Sequence, residues 1–295
     1  MSSQVSSSAS LGKQLFSMTW PMMFGILSLM SFQLVDSAFI GQLGILPLAA
    51  QGFTLPIQMI VIGLQVGLGI ATTAIISRAL GAGNTRYAKQ LGGLVMTMGS
   101  VGIAFFCVLI WFLRHPILTL LSAPDSVFPV IDSYWPHWLL SAWVGALIYF
   151  YYSICRSNGN TLLPGIMMIV TSVLNLILDP IFIFTLDLGL NGAAMATTVA
   201  FSIGVFIVAP LVARQHWMTF DWKDLNVTPV SSMLATKLIA GFGTAAVAAW
   251  ALGSRFEFFS IVAVLALTMS MPPMIGRLLG EKKIDDIRVV VSISC

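Results

Sequence analysis

The sequence predicts an all-α polytopic membrane protein, with a six-helix N-terminal lobe and an incomplete second lobe of about two helices. Hydrophobic residues make up 58% of the chain and charged residues only 8%, whereas ordinary soluble domains carry about 25% charged residues. The apolar residues fall in runs of about 20, which is the length that spans a bilayer. Short connections rich in glycine, proline and asparagine separate these runs.

Six spanning helices are predicted in the first 213 residues, in order along the chain. Their ranges are 15–40, 52–79, 91–113, 133–152, 163–185 and 191–213. The connections between them contain the turn sequences GQLG, GAGN, SAPD, RSNGN and LGLNG. No short apolar region with a cleavage site follows the polar N-terminus, so the first helix is expected to be retained.

The positions of the basic residues predict the orientation, because short cytoplasmic loops are enriched in Lys and Arg. A cytoplasmic N-terminus places seven of them inside: Lys13, Arg78, Arg86, Lys89, Arg156, Arg214 and Lys223. Of the basic residues in the first six helices and their loops, only Arg114 then falls outside. The sequence therefore predicts a multi-pass protein of the cell (inner) membrane with its N-terminus in the cytoplasm.

The pattern changes after the sixth helix and divides the chain into three parts. Residues 1–213 are the six-helix lobe, 214–227 a polar cytoplasmic linker, and 228–295 an incomplete second lobe with a remnant of helix 7 and a helix 8 at 254–276. An internal repeat supports this division, because SRALGAGN (77–84) matches GRLLGEKK (276–283) at an offset of 199 residues. At that offset the second copy lacks half of its first helix and its last four helices, so the chain is expected to be incomplete.

Polar residues converge at one depth in the outer half of the predicted lobe. Asp36 lies near the outer end of helix 1, Asp179 near that of helix 5, and Thr197 near the outer start of helix 6. Asn175 precedes Asp179 by one helical turn, so the two side chains share a face. Pro180 has no N–H and leaves a backbone carbonyl free to coordinate a cation. Together these groups predict a polar site inside the bilayer.

Two carboxylates, an amide and a hydroxyl at one depth suit two kinds of cation. Their oxygens could bind Na⁺, and the two carboxyl groups could equally share a proton. Tyr134 begins the predicted helix 4 near the same level. The alternative is that the acidic side chains lie in the membrane interface and that the amide and hydroxyl only join helices. Ionisable residues inside a membrane are nevertheless typical of function.

Other features of the sequence point away from different classes of protein. The net charge of +3 is too small and dispersed to indicate nucleic-acid binding, and no P-loop motif is present. The three histidines, His115, His137 and His216, are interpreted as unpaired residues at helix ends. Glu257, near the outer start of the last helix, is interpreted as interfacial.

Several motifs together resemble the multidrug and toxic compound extrusion (MATE) family: WPMMFGILS, VDSAFIGQLG, ISRALGAGN, LNLILDPIFIF, LGLNGAAMATTVA and GFGTAAVAAWALGSRFE. The resemblance implies an inward-facing, pseudo-symmetric two-lobe carrier that exports organic cations or drugs in exchange for Na⁺ or H⁺. It implies no other cofactor.

The resemblance also implies individual roles. Pro21 would be the kink of helix 1 and Asp36 the coupling carboxylate of the N-terminal lobe. Asn175, Asp179, Thr197 and Tyr134 would form its network, and Glu257 would be a carboxylate of the second lobe.

Three functional hypotheses remain open at this point. The first is an active exporter coupled through Asp36, with drugs and the lipid bilayer as partners. The second is a non-transporting fragment that keeps only the cation site, unless self-association or a separate partner supplies the missing lobe. The third is a membrane-embedded enzyme, for which the only adjacent acidic pair, Asp285 and Asp286, is more easily interpreted as solvated.

Overall fold

The computed structural model describes residues 8–221, 273–281, 286, 287 and 290, and all regular elements within these ranges are helical. The α-helices are α1 (Ser8–Gln42), α2 (Ile45–Gly81), α3 (Thr85–Leu94), α4 (Ser100–Leu120), α5 (Phe128–Ser157), α6 (Leu162–Pro180) and α7 (Gly189–Arg214). A π-helical turn, Val95–Gly99, joins α3 directly to α4, and a second, Ile181–Thr185, extends α6. A single 3₁₀ turn, Asp125–Val127, precedes α5.

These elements form six segments that are long and apolar enough to cross a membrane, which confirms the predicted all-helical membrane fold. The segments are Gly12–Gln42, Ile45–Gly81, Thr85–Leu120, Asp125–Ser157, Leu162–Thr185 and Gly189–Arg214. Four predicted starts were wrong by five to seven residues, since helices begin at Ser8, Ile45, Thr85 and Phe128 rather than at 15, 52, 91 and 133. At α3 the additional first turn is polar and therefore lay outside the hydropathy signal. It is capped by Asn84, whose side chain accepts the Tyr87 N–H at 3.1 Å.

Helix α5 is the most enclosed of the six segments, and α2, α4 and α7 pack around it. Helix α1 packs along α6 on one side of this group. The crossing of α1 and α6 depends on two glycines. A Cβ atom at Gly165 would collide with the carbonyl of Pro21, and one at Gly25 would lie 3.0 Å from the carbonyl oxygen of Gly165. The absence of side chains therefore lets the two backbones approach closely.

The short connections make successive membrane segments antiparallel, so the bundle has two distinct ends. We call the end where α1 begins, α2 ends, α5 ends and α7 ends the proximal end, and the opposite end the distal end. At the proximal end, the Ser77 hydroxyl donates to the Ser157 carbonyl at 3.2 Å and joins α2 to α5. Towards the distal end, Trp135 Nε1 donates to Thr54 Oγ1 at 2.9 Å and joins the same two helices.

The second lobe contributes one described helical segment, residues 273–280, which packs against the proximal end of α2. The contact is reciprocal. A Cβ atom at Gly81 would collide with the carbonyl of Arg277, and one at Gly280 would collide with the carbonyl of Arg78. Arg78 and Gly81 match Arg277 and Gly280 in the internal repeat. In each copy, the glycine therefore faces the backbone carbonyl of the matching arginine in the other copy. A pseudo-two-fold relation between the copies accounts for this reciprocity.

The chain beyond α7 turns back along the start of α3. His216 has a φ of 52° and redirects the backbone, and the Thr219 N–H then donates to the Lys89 carbonyl at 3.0 Å. A Cβ atom at Gly93 would collide with the Thr219 carbonyl, so this return also depends on a glycine. The first part of the predicted linker, residues 215–221, is thus attached to the six-helix lobe.

The pattern of basic residues suggested that Arg156 lies in a loop, but the structure buries its side chain. Its side chain is 1% exposed, lies over the Tyr149 ring with 4.9 Å from guanidinium carbon to ring centroid, and donates from Nη2 to Ser153 Oγ at 2.7 Å. An aromatic ring is a favourable neighbour for a guanidinium group. Arg156 is therefore part of the packed proximal end rather than a solvated loop.

Candidate functional site

Helices α6 and α7 bring three of the predicted site residues into direct contact. Asn175 and Asp179 lie one turn apart on α6 and are both 0% exposed. One end of the Asn175 amide lies 3.0 Å from Thr197 Oγ1 on α7. Its other end lies 2.7 Å from Asp179 Oδ1 and 3.3 Å from Oδ2. The Thr197 hydroxyl also lies 3.0 Å from the carbonyl oxygen of Ala193 in its own helix.

Asp36 meets a different partner, which the sequence did not suggest. Gln51 Nε2, near the start of α2, donates to Asp36 Oδ2 at 3.3 Å. The other carboxylate oxygen, Oδ1, is buried and has no hydrogen-bond partner among the described residues. A buried carboxylate oxygen without a donor is costly, so Asp36 Oδ1 is open to a proton or a cation.

The two carboxylates are neighbours without being bonded. Asp36 and Asp179 are close enough for their charges to interact, and the same holds for Asp36 and the buried Tyr134 of α5. Within the described part of the chain, no hydrogen bond joins the Asp36–Gln51 pair to the Asp179–Asn175–Thr197 group. The predicted site therefore consists of two polar groups side by side, one on α1 and α2 and one on α6 and α7. We call them together the carboxylate pair site.

The prolines of the predicted site lie at two different kinds of position. Pro180 is the last residue of α6, and the π-helical turn begins immediately after it. Such turns occur often beside functional residues, and here the turn follows Asp179 by two residues. Pro21 lies inside α1, which continues through it as one helix, and its carbonyl faces the backbone of α6 at Gly165.

The chemistry of the carboxylate pair site favours a small cation. It offers carboxylate, amide and hydroxyl oxygens, which are the ligands of hard cations. One of these oxygens, Asp36 Oδ1, receives no hydrogen bond from the part of the chain that the structure describes. Neither Asp36 nor Asp179 forms an ion pair with a described residue. Groups of three or more His, Cys, Asp or Glu that would hold a transition metal are absent from the described residues.

A third carboxylate, Asp132 near the distal end, was missed by the sequence analysis. Arg114 Nε lies 2.6 Å from its Oδ1, and His115 Nε2 lies 2.9 Å from the same oxygen. The interpretation of His115 as unpaired was therefore wrong. Arg114 also lies over the Trp111 ring, with 3.8 Å to the centroid.

Two predictions concern residues near the C-terminus. Glu257 lies outside the described residues, as does most of the predicted second lobe. Of the acidic pair at 285 and 286, Asp286 is described and is 3% exposed. The interpretation of a solvated pair was therefore wrong at Asp286.

Comparisons with known proteins agree with these features. A family model described as MatE matches residues 21–181 and 226–295. The crystal structure of the Vibrio cholerae MATE transporter VcmN in the bent form is 65% identical, with a TM-score of 0.88, and the alignment covers 98% of this chain and 70% of that one.

Two curated relatives match over most of this chain. A FAD transporter of Shewanella oneidensis is 29% identical over 92% of this chain and 66% of its own length. The multidrug export protein MepA of Staphylococcus saprophyticus is 25% identical over 91% of this chain and 64% of its own length. The chain thus spans about two thirds of the length of these relatives.

The family match covers more than half of the chain, and it includes the segments that carry Asp36, Asn175 and Asp179. The six membrane segments and the fold of the 65% identical transporter lead to the same assignment. The chain belongs to the multidrug and toxic compound extrusion (MatE) family.

Proposed function

We propose that this chain carries the cation-coupling lobe of a secondary active exporter, which expels small molecules in exchange for an inward-moving cation. The observation that carries this proposal is the carboxylate pair site, where two acidic side chains inside a membrane bundle have only neutral hydrogen-bond partners among the described residues. A fixed negative charge in hydrocarbon is costly. A cation that enters and leaves would relieve that cost at one stage of a transport cycle and restore it at another.

Either H⁺ or Na⁺ fits the proposed role. A proton would neutralise Asp36 at the oxygen that has no donor. Na⁺ would take Asp36, Asp179, Asn175 and Thr197 as oxygen ligands, with Pro180 and Tyr134 in supporting positions. In both cases Asp36 is the coupling carboxylate.

The proposed substrates are organic cations or drugs, in line with the multidrug export protein among the relatives. FAD is a second candidate substrate, because the FAD transporter matches 92% of the length of this chain. FAD is a large anion, so the two candidates differ in charge and can be separated by one assay. Transport is favoured over catalysis because the relatives compared above are named as transporters or export proteins.

The proposed setting is the cell (inner) membrane, with the proximal end and the N-terminus in the cytoplasm. The basic residues at the proximal end support this orientation. Transport by such carriers requires one lobe to move against another. The alternative is a form of such a carrier that binds the cation and does not transport, unless self-association or a separate partner supplies a second lobe.

The decisive experiment compares efflux and binding for the same chain. Cells lacking their major efflux pumps would express the 295-residue chain, Asp36→Asn, or Asp132→Asn as the matched control. Efflux of a fluorescent organic cation and of FAD would be measured at equal membrane expression. Binding of radioactive Na⁺ and release of protons would be measured on the purified chain in lipid nanodiscs.

We expect Asp36→Asn to lose efflux and cation binding, and Asp132→Asn to keep both. Loss of efflux in every version, with cation binding kept by the parent chain, would support the non-transporting fragment instead. If Asp36→Asn binds the cation and exports as well as the parent, the proposed coupling role is wrong.

A further inference from the structure

A polar cavity lies at the proximal end of the bundle, at the opposite end from the carboxylate pair site. It lies between the first two turns of α3 and residues 215–221, which we call the return segment. Its volume is about 300 Å³, at the lower limit of the range of small-molecule sites. The polar side chains that line it are Arg86, Lys89 and Gln90 from α3, and His216, Thr219 and Asp221 from the return segment.

The two walls of this cavity are joined to each other by backbone contacts. The Thr219 N–H donates to the Lys89 carbonyl at 3.0 Å. A Cβ atom at Gly93 would collide with the Thr219 carbonyl, and one at Gly92 would lie 3.1 Å from the Met218 Cβ. The return segment therefore packs closely along α3, and the cavity is a fixed feature of the fold.

The charges that line the cavity favour an anion. Among the described residues of the lining, Arg86 and Lys89 are basic and Asp221 is acidic. Neither Arg86 nor Lys89 forms an ion pair with any residue that the structure describes. Two cations that line one cavity repel each other, and an anion between them would replace this repulsion with two attractions.

The donors of the lining suit the oxygens of a phosphate group. The guanidinium of Arg86 has the planar set of N–H donors that binds two phosphate oxygens at once, and the ammonium of Lys89 adds a point charge. The Thr219 hydroxyl accepts the Asp221 N–H at 3.3 Å, which leaves its own proton for another acceptor. A phosphate group would thus meet donors from both walls of the cavity.

The cavity also lies at the level where a membrane segment begins. Arg86 is the second residue of the segment Thr85–Leu120. Phe220, beside the cavity in the return segment, is 58% exposed. Basic side chains and aromatic rings together at the end of a membrane segment are typical of contact with lipid headgroups. A soluble phosphate compound would gain nothing from the exposed ring, whereas the acyl chains of a lipid would cover it.

We propose that this cavity binds the phosphate group of an anionic phospholipid, with Arg86 and Lys89 as the anion-binding side chains and Phe220 against the acyl chains. The bound lipid would hold the return segment on α3. The inference goes beyond the proposed function and is independent of the carboxylate pair site, because none of the residues of that site lines the cavity.

The test measures lipid binding to the purified chain. The 295-residue protein would be titrated in detergent with phosphatidylglycerol, which is anionic, and with phosphatidylcholine, which has no net charge. Native mass spectrometry would count the lipids bound. We expect one phosphatidylglycerol to bind in clear preference to phosphatidylcholine.

Removal of both charges should abolish that preference. In Arg86→Gln with Lys89→Gln, the affinity for phosphatidylglycerol should fall by roughly tenfold to thirtyfold. Lys13→Gln is the matched control, because Lys13 is an exposed basic residue at the same end of the bundle and does not line the cavity. Arg86→Lys with Lys89→Arg keeps both charges and should keep most of the binding, which separates loss of charge from misfolding.

A further variant distinguishes a lipid from a free phosphate. Binding of inorganic phosphate would be measured by calorimetry on the same preparations. Phe220→Ser should weaken phosphatidylglycerol binding and leave the response to inorganic phosphate unchanged, whereas the double Gln variant should lose both.

Three results would overturn the proposal. Equal phosphatidylglycerol binding in the double Gln variant and in Lys13→Gln would show that the cavity is not the site. Equal binding of the two lipids by the parent chain would show that the headgroup charge does not matter. Full displacement of the lipid by inorganic phosphate, with no effect of Phe220→Ser, would make the cavity a site for soluble phosphate instead.

Discussion

The bundle holds carboxylates in two contrasting settings. Asp132, towards the distal end, has a guanidinium at 2.6 Å and an imidazole at 2.9 Å, and its side chain is 38% exposed. Asp179 is 0% exposed, and Asp36 has one buried oxygen without a partner among the described residues. Within the same part of the chain, the side chains bonded to them are only Asn175 and Gln51. The protein thus places a fixed cation, Arg114, beside its more exposed carboxylate, and leaves Asp36 and Asp179 with neutral partners among the described residues. Under the proposed function, the carboxylate beside Arg114 serves structure, and the two without a fixed cation among the described residues take the mobile ion.

The largest effect is expected from giving Asp36 the kind of partner that Asp132 has. Gln51→Lys would place an ammonium group where Gln51 Nε2 now lies, 3.3 Å from Asp36 Oδ2. The fixed charge would compete with the mobile cation, so efflux and Na⁺ binding should fall by roughly tenfold or more. Both would be measured in the dye and nanodisc assays.

Gln51→Met is the control for this change, because it removes the hydrogen bond without adding a charge. Efflux and Na⁺ binding of this variant should fall by at most about threefold, which corresponds to the loss of one ordinary hydrogen bond. Equal losses in the two variants would show that packing at position 51, rather than charge, matters.

A smaller loss of transport is expected at Asp179, and the change in stability there should have the opposite sign to the change at Asp132. Asp179→Asn removes a buried carboxyl group that has no cationic partner among the described residues, so at alkaline pH, where that group is ionised, the protein should become more stable by about 1 kcal/mol or more. Transport should fall about fivefold, because the amide cannot exchange a cation. Thermal unfolding in nanodiscs would measure the stability.

Asp132→Asn breaks an exposed ion pair, and should reduce stability by about 0.2–1 kcal/mol with little change in efflux. Stability changes of the same sign in the two variants would remove the distinction between the two settings.

The smallest effect is expected at Arg114. Arg114→Gln should lower stability by less than about 1 kcal/mol, and the loss should shrink as salt is added, because salt screens partly exposed pairs. Efflux should stay within about twofold of the parent, since this pair lies outside the carboxylate pair site. Unfolding curves at low and high salt would check the first point. A salt-independent loss would point instead to the stacking of Arg114 on Trp111.

Much of this arrangement could be predicted from the sequence because the deciding signals are local. Asn175 and Asp179 lie one turn apart, so a helical period alone places them on one face. Asp36 and Thr197 could be set at the same depth by counting residues from the helix ends. The apolar runs indicated six helices, although the first turns of α1, α2, α3 and α5 lie before the predicted starts.

The missed features depend on contacts between distant parts of the chain. Gln51 lies at a predicted helix start and resembles a loop residue until α2 is seen to begin at Ile45. Asp132 and Arg114 are paired across two helices, and no period of the sequence encodes their meeting. Arg156 fits a basic loop by position, and only tertiary packing shows its burial.

The reciprocal contact of Gly81 with Arg277 and of Gly280 with Arg78 has a consequence for its tolerance of substitution. A self-complementary contact works as well between two identical subunits as within one chain. It consists of backbone atoms and the missing side chains of two glycines, so it requires no divergence between its halves. A Cβ atom at either glycine alone would collide with the opposite carbonyl, so substitution of one glycine is enough to separate both halves of the contact.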